Sequence, residues 1–440
     1  MGDIHITEDM LDAVSLGELP PLVLAEVGVS HLLALCPHCR AEFRAWQRRR
    51  RGTGSFSSTL LLLPVLLEQQ TAHAEKQQNA AERDLRDLLR IPFPERLGKI
   101  RRAHVRFRGT ALARILLAQA REQIPAAPRT VYELAETAQA VLRYTPASPT
   151  APALSVRATI YAGNALRAQG DLQAADARFA FARSLITHGG VTDTLVYAEV
   201  DWFEGTLRKD QRHFAAAEAL LQRSILLYRL MADQQGAVSP LVTLGILYYD
   251  RQDYRQALET YQNALAHLQP ETDPRFYCTV HHNLTLTLCD LGEHHAAAEA
   301  LEASRELYRA CPDAPTQARL AWVEGKIALA FGHLARAEEA FAAVRRGFDQ
   351  EENGYDTAMV SLDLALVYAK QGRVGELKQL AEEMHTVFES QEIHREALAA
   401  LLLFQQAARE ESLSADRVES FIRYFKKART HPSLQFKELI

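Results

Sequence analysis

No apolar run in the 440-residue sequence is long enough to cross a bilayer. The longest, Leu60 to Leu67, is interrupted by Pro64 and falls far short of the ~20 residues a spanning helix needs. No charged-then-apolar leader opens the chain, so a soluble cytoplasmic protein is expected. Cysteine is scarce, five in all. Cys278, Cys289 and Cys311 share no pattern and read as reduced thiols packed as small hydrophobes. Charge of one sign is lacking too: a net −5 makes no global case for nucleic acid or a membrane surface. Glycine (21) and proline (17) are few, in a chain rich in the helix formers Ala, Leu, Glu, Gln and Arg. Catalytic signatures are also missing: no P-loop, Gly-rich nucleotide loop, His-Glu-x2-His helix or Gly-x-Ser-x-Gly elbow occurs. The adjacent pairs His281-His282 and His294-His295 form no chelate, because neighbours on a helix point in different directions. An enzyme is not expected.

What the sequence does have is a repeat. A turn position falls at Gly170, Arg212, Gln252, Gly292, Gly332 and Gly372, spaced by 42 residues and then by 40 four times. Five residues later stand Ala175, Ala217, Ala257, Ala297, Ala337 and Leu377. Seven residues earlier stand Gly163, Gly205, Gly245, Thr285, Gly325 and Ala365. In the unit LVTLGILYYDRQDYRQALETYQNALAHLQP, apolar residues recur at helical spacing on both sides of a polar turn. Each half is one amphipathic helix, and small residues at fixed offsets let the two approach closely. A period of this length implies stacked hairpins, each in contact with its neighbours.

These offsets closely resemble the tetratricopeptide repeat, with units beginning near Ser155, Val196, Pro240, Cys278, Gln317 and Thr357. The usual unit of that family is shorter, and the surplus residues are expected to lengthen the helices. The resemblance implies an all-α, right-handed superhelical solenoid over residues 155–394, after a degenerate first repeat at 110–154 and before capping helices at 395–440. It also implies that the first helix of each unit lines a concave binding face. Counting from the small residue, that face would present Arg157, Asn164, Arg167, Glu199, Trp202, Lys209, His282, Asn283, Arg319, Trp322 and Lys326. Such residues could anchor a peptide or protein, or could be ordinary inter-repeat side chains. The Lys/Asn set that clamps a C-terminal carboxylate in some members is not reproduced in register. GYDTAMVSLDLALVYAKQGR and HREALAALLLFQQA, with the 40-residue spacing, further resemble bacterial tetratricopeptide proteins that carry small N-terminal regulatory modules.

Residues 1–51 stand apart from the array and read as a small helical module. It holds His31-x4-Cys36-x2-Cys39, with His5 26 residues before His31. Two thiolates on one turn can reach a single zinc ion; His31 would be the third ligand, His5 the fourth, and His38 would point outward. This resembles the zinc-binding anti-sigma domain, with one extra residue between His31 and Cys36. The resemblance implies a structural zinc and a sigma factor as partner. A metal-free helical version and a redox dithiol at Cys36/Cys39 are the other readings. Residues 1–39 hold six acidic residues and no Lys or Arg, and RRRRGTGS follows. The connector, 52–109, is basic: eleven Arg/Lys against three acidic residues lie between Arg83 and Arg121. That charge reads as a solvated helical face or a dock for the acidic N-terminal module. No recognition motif for nucleic acid accompanies it.

Three functions remain open. One is a non-enzymatic regulator whose array binds a partner while the N-terminal module acts as an anti-sigma-like or adaptor element. A second is a passive scaffold that recruits an effector enzyme such as a protease. The third is a thiol-based sensor or oxidoreductase.

Overall fold

The structure is a computed structural model that describes Ala45 and residues 75–103, 106–191, 193–271, 273–350, 354–390, 404–408 and 413–428. Among the described residues every regular element is helical and none is a strand. Helix α1 spans 75–89, followed by α2 (Phe93–Arg102), α3 (Thr110–Gln123) and α4 (Pro128–Arg143). The hairpin of α5 (Ala151–Ala168) and α6 (Leu172–His188) follows, then helices α7 (Thr194–Asp210) and α8 (Phe214–Leu230). Next come α9 (Val238–Asp250) with α10 (Tyr254–Leu265), and α11 (Pro274–Leu291) with α12 (His294–Ala310). The last two are α13 (Ala314–Ala330) with α14 (Leu334–Gln350), and α15 (Gly354–Gln371) with α16 (Val374–Ser390). Helix α17 (Ala415–Ala428) is the last described. The expected helical zinc module lies outside the described residues, apart from Ala45.

Two compact units divide the chain: Met1–Leu207 with Leu230–Asp233, and Arg208–Arg229 with Gln234–Ile440. In the second unit each helix from α9 to α16 packs on the next, α17 packs on α15, and the first helices also touch one another, α9 on α11, α11 on α13 and α13 on α15. In the first unit α3, α4 and α5 pack in the same alternating way.

All six turn positions read from the sequence adopt left-handed backbone, with φ of 87° at Gly170, 63° at Arg212, 61° at Gln252, 83° at Gly292, 76° at Gly332 and 70° at Gly372. Each closes its first helix with the same two hydrogen bonds. At Gly292, its own N–H donates to Cys289 O (3.1 Å) and the Glu293 N–H donates to Leu288 O (3.0 Å). The pair recurs as Gly170–Arg167 with Asp171–Leu166, and as Gln252–Tyr249 with Asp253–Tyr248. This is the Schellman termination, which satisfies carbonyls that the helix end would orphan. Glycine adopts it freely, whereas Arg212 and Gln252 carry a Cβ there at a cost of roughly 1 kcal/mol each. At two of these turns the next residue caps the second helix: Asp171 accepts from the Ala174 N–H (2.9 Å) and Asp253 from the Gln256 N–H (3.5 Å).

The small residue seven positions before the turn faces a residue sixteen positions later. A Cβ placed on Gly245 would stand 2.5 Å from Tyr261 Cε1, and one on Gly325 would stand 2.6 Å from Phe341 Cε1. On Gly163 it would meet Phe179 Cε2 at 3.2 Å. Where the first helix has a larger residue, Thr285 or Ala365, the position sixteen residues on is Leu301 or Ala381. Volume is thus traded across the hairpin, as close packing requires.

Most repeat helices are 17 or 18 residues long, the exceptions being α9 (13) and α10 (12). The surplus over the usual unit therefore lengthens helices, as expected. First helices begin two to four residues earlier than the sequence-derived starts. Their entry is set by caps that the small-residue register does not contain. Asp273 accepts from the Phe276 N–H and Asp313 from the Thr316 N–H, each with a proline in the first turn.

Part of the basic connector is structural. Arg96 is buried, donating through Nε to Leu88 O (3.1 Å), through one terminal nitrogen to Ile91 O (3.2 Å) and through the other to Thr137 Oγ1 (3.3 Å). Arg106 pairs with Asp84 and Asp87 and lies over the Phe107 ring. Buried Arg96 ties α1, α2 and α4 together, and exposed Arg106 holds the segment after α2 to α1.

Candidate functional site on the first helices

In the first unit, Arg157 on α5 reaches across to α7. Its Nε donates to Glu199 Oε2 (2.6 Å), and a terminal nitrogen lies 3.0 Å from Asp193 Oδ2. Arg121 approaches the other Glu199 oxygen at 3.6 Å. Burial pushes the Glu199 carboxyl up, against the opposing pull of Arg157. Beside this group, buried Asn164 accepts from Arg167 Nε (2.9 Å). Trp202 is half-buried and stacks on Phe203 with ring centres 4.2 Å apart, while Phe203 meets Tyr161 edge-on.

The second unit carries a denser group. Asp290 on α11 accepts from Tyr249 Oη on α9 and lies 2.8 Å from Lys426 Nζ on α17 and 3.4 Å from Lys326 Nζ on α13. Lys326 also lies 3.5 Å from Asp363 Oδ2 on α15, an oxygen that accepts from Trp322 Nε1 at 2.8 Å. Four successive first helices and the C-terminal helix therefore converge on two carboxylates and two ammonium groups. Burial alone would raise the Asp290 carboxyl, but Lys326 and Lys426 outweigh it and hold it well below the usual range. Burial works against Lys326 as well, yet Asp290 and Asp363 keep it protonated far above its ordinary value. Lys426 differs. Burial, with the neighbouring Lys326 charge, outweighs the pull of Asp290 and holds it below its usual value.

Several residues expected to face a partner are packed inside the repeats instead. His282 is buried, its Nδ1 3.3 Å from Tyr308 Oη on the second helix of the same hairpin. Trp322 is buried against Asp363, and Asn164 is buried as well. His282 and Trp322 each sit three residues before the small residue of their helix. That spacing puts them on the same helical face as the glycine or threonine that contacts the second helix. Lys209 pairs with Asp210 at 2.6 Å. Asn283 is half-buried, and Arg319 is the one exposed residue of the expected set. Tyr249, Asp290, Asp363 and Lys426 are not among the residues expected from the sequence. Asp290 had a signal, because Asp210, Asp250 and Asp290 all stand two residues before their turns; Lys426 had none.

Cys36, Cys39, His31 and His5 lie outside the described residues. Among the described residues no group of three or more His, Cys, Asp or Glu is placed to hold a metal, and no helix is long and apolar enough to cross a membrane.

No protein-family model and no curated protein matches the sequence. Solved structures do match in fold. One is a Rap protein complexed with competence and sporulation factor, 15% identical, with a TM-score of 0.55 over 73% of this chain and 87% of that one. The apo form of RapI is 16% identical, with a TM-score of 0.50 over 83% and 99%. A signal transduction ATPase with numerous domains and a tetratricopeptide repeat sensor, from Pyrococcus horikoshii, is 13% identical, with a TM-score of 0.53 over 82% and 53%. The chain has the tetratricopeptide-like helical-repeat fold of these proteins.

Proposed function

We propose that this chain is a non-enzymatic regulatory protein whose repeats bind a partner protein or peptide on the face of their first helices. The observation that carries this reading is the series of polar bridges between consecutive first helices: Arg157 to Glu199, Tyr249 to Asp290 and Trp322 to Asp363. These bridges fix consecutive first helices against one another, so a ligand lying across several repeats would meet a face that is already ordered, which lowers the cost of binding. The fold shared with a Rap protein complexed with competence and sporulation factor supports a peptide or small protein as the ligand. In the same reading residues 1–51 hold a structural zinc through Cys36, Cys39, His31 and His5. That module serves as an anti-sigma-like or adaptor element in the cytoplasm, acting on a sigma factor or an effector enzyme.

The test is affinity purification of the tagged full chain from its native cells, beside two charge-reversal variants. Arg319→Glu alters an exposed residue of first helix α13, and Glu259→Lys an exposed residue of second helix α10. A co-purifying partner should be lost with Arg319→Glu and kept with Glu259→Lys. Equal retention by both would remove the first-helix face from the proposal. Metal analysis of the same preparations should find about one zinc per chain, abolished by Cys36→Ser; a metal-free wild-type chain would remove the zinc assignment.

A further inference from the structure

Helix α17 packs through one apolar face. Its buried residues Val418, Phe421, Ile422 and Phe425 fall at i, i+3, i+4 and i+7, the anchor pattern of a helix that lies in a groove of another protein. They join an apolar cluster with Trp322, Met359, Leu362 and Leu366, and the Phe421 ring meets Phe404 edge-on at 5.4 Å. The helix packs on α15, and Lys370 on α15 lies 3.3 Å from Glu419. One residue beyond the last anchor, Lys426 extends past α15 to Asp290 on α11.

The charges at this point balance only because Lys426 is present. Asp290 and Asp363 supply two negative charges, and Lys326 lies between them at 3.4 and 3.5 Å. Withdrawing α17 would leave one cation for two carboxylates, in a pocket walled by Tyr249 and Trp322 and next to uncovered apolar surface. An uncompensated buried carboxylate is strongly disfavoured, so such a pocket selects a replacement cation. Burial already sets Lys426 below its usual protonation range while Lys326 is held far above its own. Lys426 is also the one cation of the cluster carried by α17, so it leaves with that helix.

We propose that the first helices α11, α13 and α15 form a receptor groove for an amphipathic helix with a lysine or arginine just after its last apolar anchor. Helix α17 is the chain's own resident occupant, and a partner helix of the same chemistry binds by exchanging with it. This deepens the partner-binding reading above and rests on it, because it names both the ligand class and the internal competitor.

The probe is a fluorescein-labelled peptide of residues 413–428, titrated into the full chain. In the wild type the resident copy competes, and apparent affinity falls by the fraction of open molecules. A Phe421→Ala/Lys426→Ala chain loosens that copy and should bind the peptide about tenfold or more tightly. A peptide carrying Lys426→Gln should lose most of the gain. Unchanged binding to the variant, with its helical circular dichroism intact, would overturn the proposal. Should the variant not fold, amide exchange on the wild-type chain decides. Amides of α17 opening well ahead of those of α15 support a resident occupant, whereas joint exchange of the two helices makes α17 a fixed cap and overturns it. Neither readout needs the natural partner. Failure of the purification experiment would therefore leave the groove standing, and failure here would leave partner binding elsewhere on the first helices untouched.

Discussion

His282 couples the fold to pH through one side chain. Burial, with Arg319 adding repulsion, pushes its imidazole down to about 3, while an unfolded histidine takes its proton near 6.5. Between those values the unfolded state binds the extra proton. The stabilisation is complete above about pH 6.5 and is lost as the pH falls toward 3. The slope from this residue alone is at most about 1.4 kcal/mol per pH unit. Urea midpoints measured between about pH 7 and pH 5 should fall steeply in the wild type and less steeply in a His282→Gln variant; parallel curves would show that another group is responsible. Residue chemistry of this kind was only partly legible in the sequence. His282 and Trp322 announce themselves by type, but their distance from the small residue places them inside the hairpin.

Within one hairpin, the governing feature is the exchange of volume between its two helices. Gly245 faces the Tyr261 ring so closely that an added Cβ would overlap it. Gly245→Ala should therefore destabilise by about 1–3 kcal/mol through overpacking, offset by up to about 1 kcal/mol of better helix propensity. Pairing it with Tyr261→Leu should relieve the clash, as Thr285 tolerates Leu301. A double-mutant cycle read by denaturant unfolding should give a coupling of at least about 1 kcal/mol; additive effects would mean the two residues do not share one space. This level was well legible. The turn and small-residue offsets place the hairpins, since only a few residue types suit a left-handed turn or a close helix approach. Helix starts were less so, because Asp273 and Asp313 set them through local caps. The C-terminal helix gave no signal of its contacts: Lys426 meets Asp290 across 136 residues of sequence, and no periodicity spans that distance.

At the scale of the molecule, hairpins that touch their neighbours within a unit should respond locally to damage. Gly325→Val would drive a branched side chain into Phe341, where even a Cβ comes within 2.6 Å. Hydrogen exchange should show protection falling in α11 to α15 while α3 to α5 keep theirs; uniform loss along the chain would refute nearest-neighbour stability. The six left-handed turns also have a bearing on how such a protein can change length. Each is the same joint, closed by the same two hydrogen bonds, and four of the five intervals between them are 40 residues. Splicing from one joint to the next removes one second helix and the first helix that follows it, so the array loses one repeat and like is rejoined to like. The extent of the first-helix face can thus be altered only in whole hairpins, which makes the array a ruler graduated in single repeats.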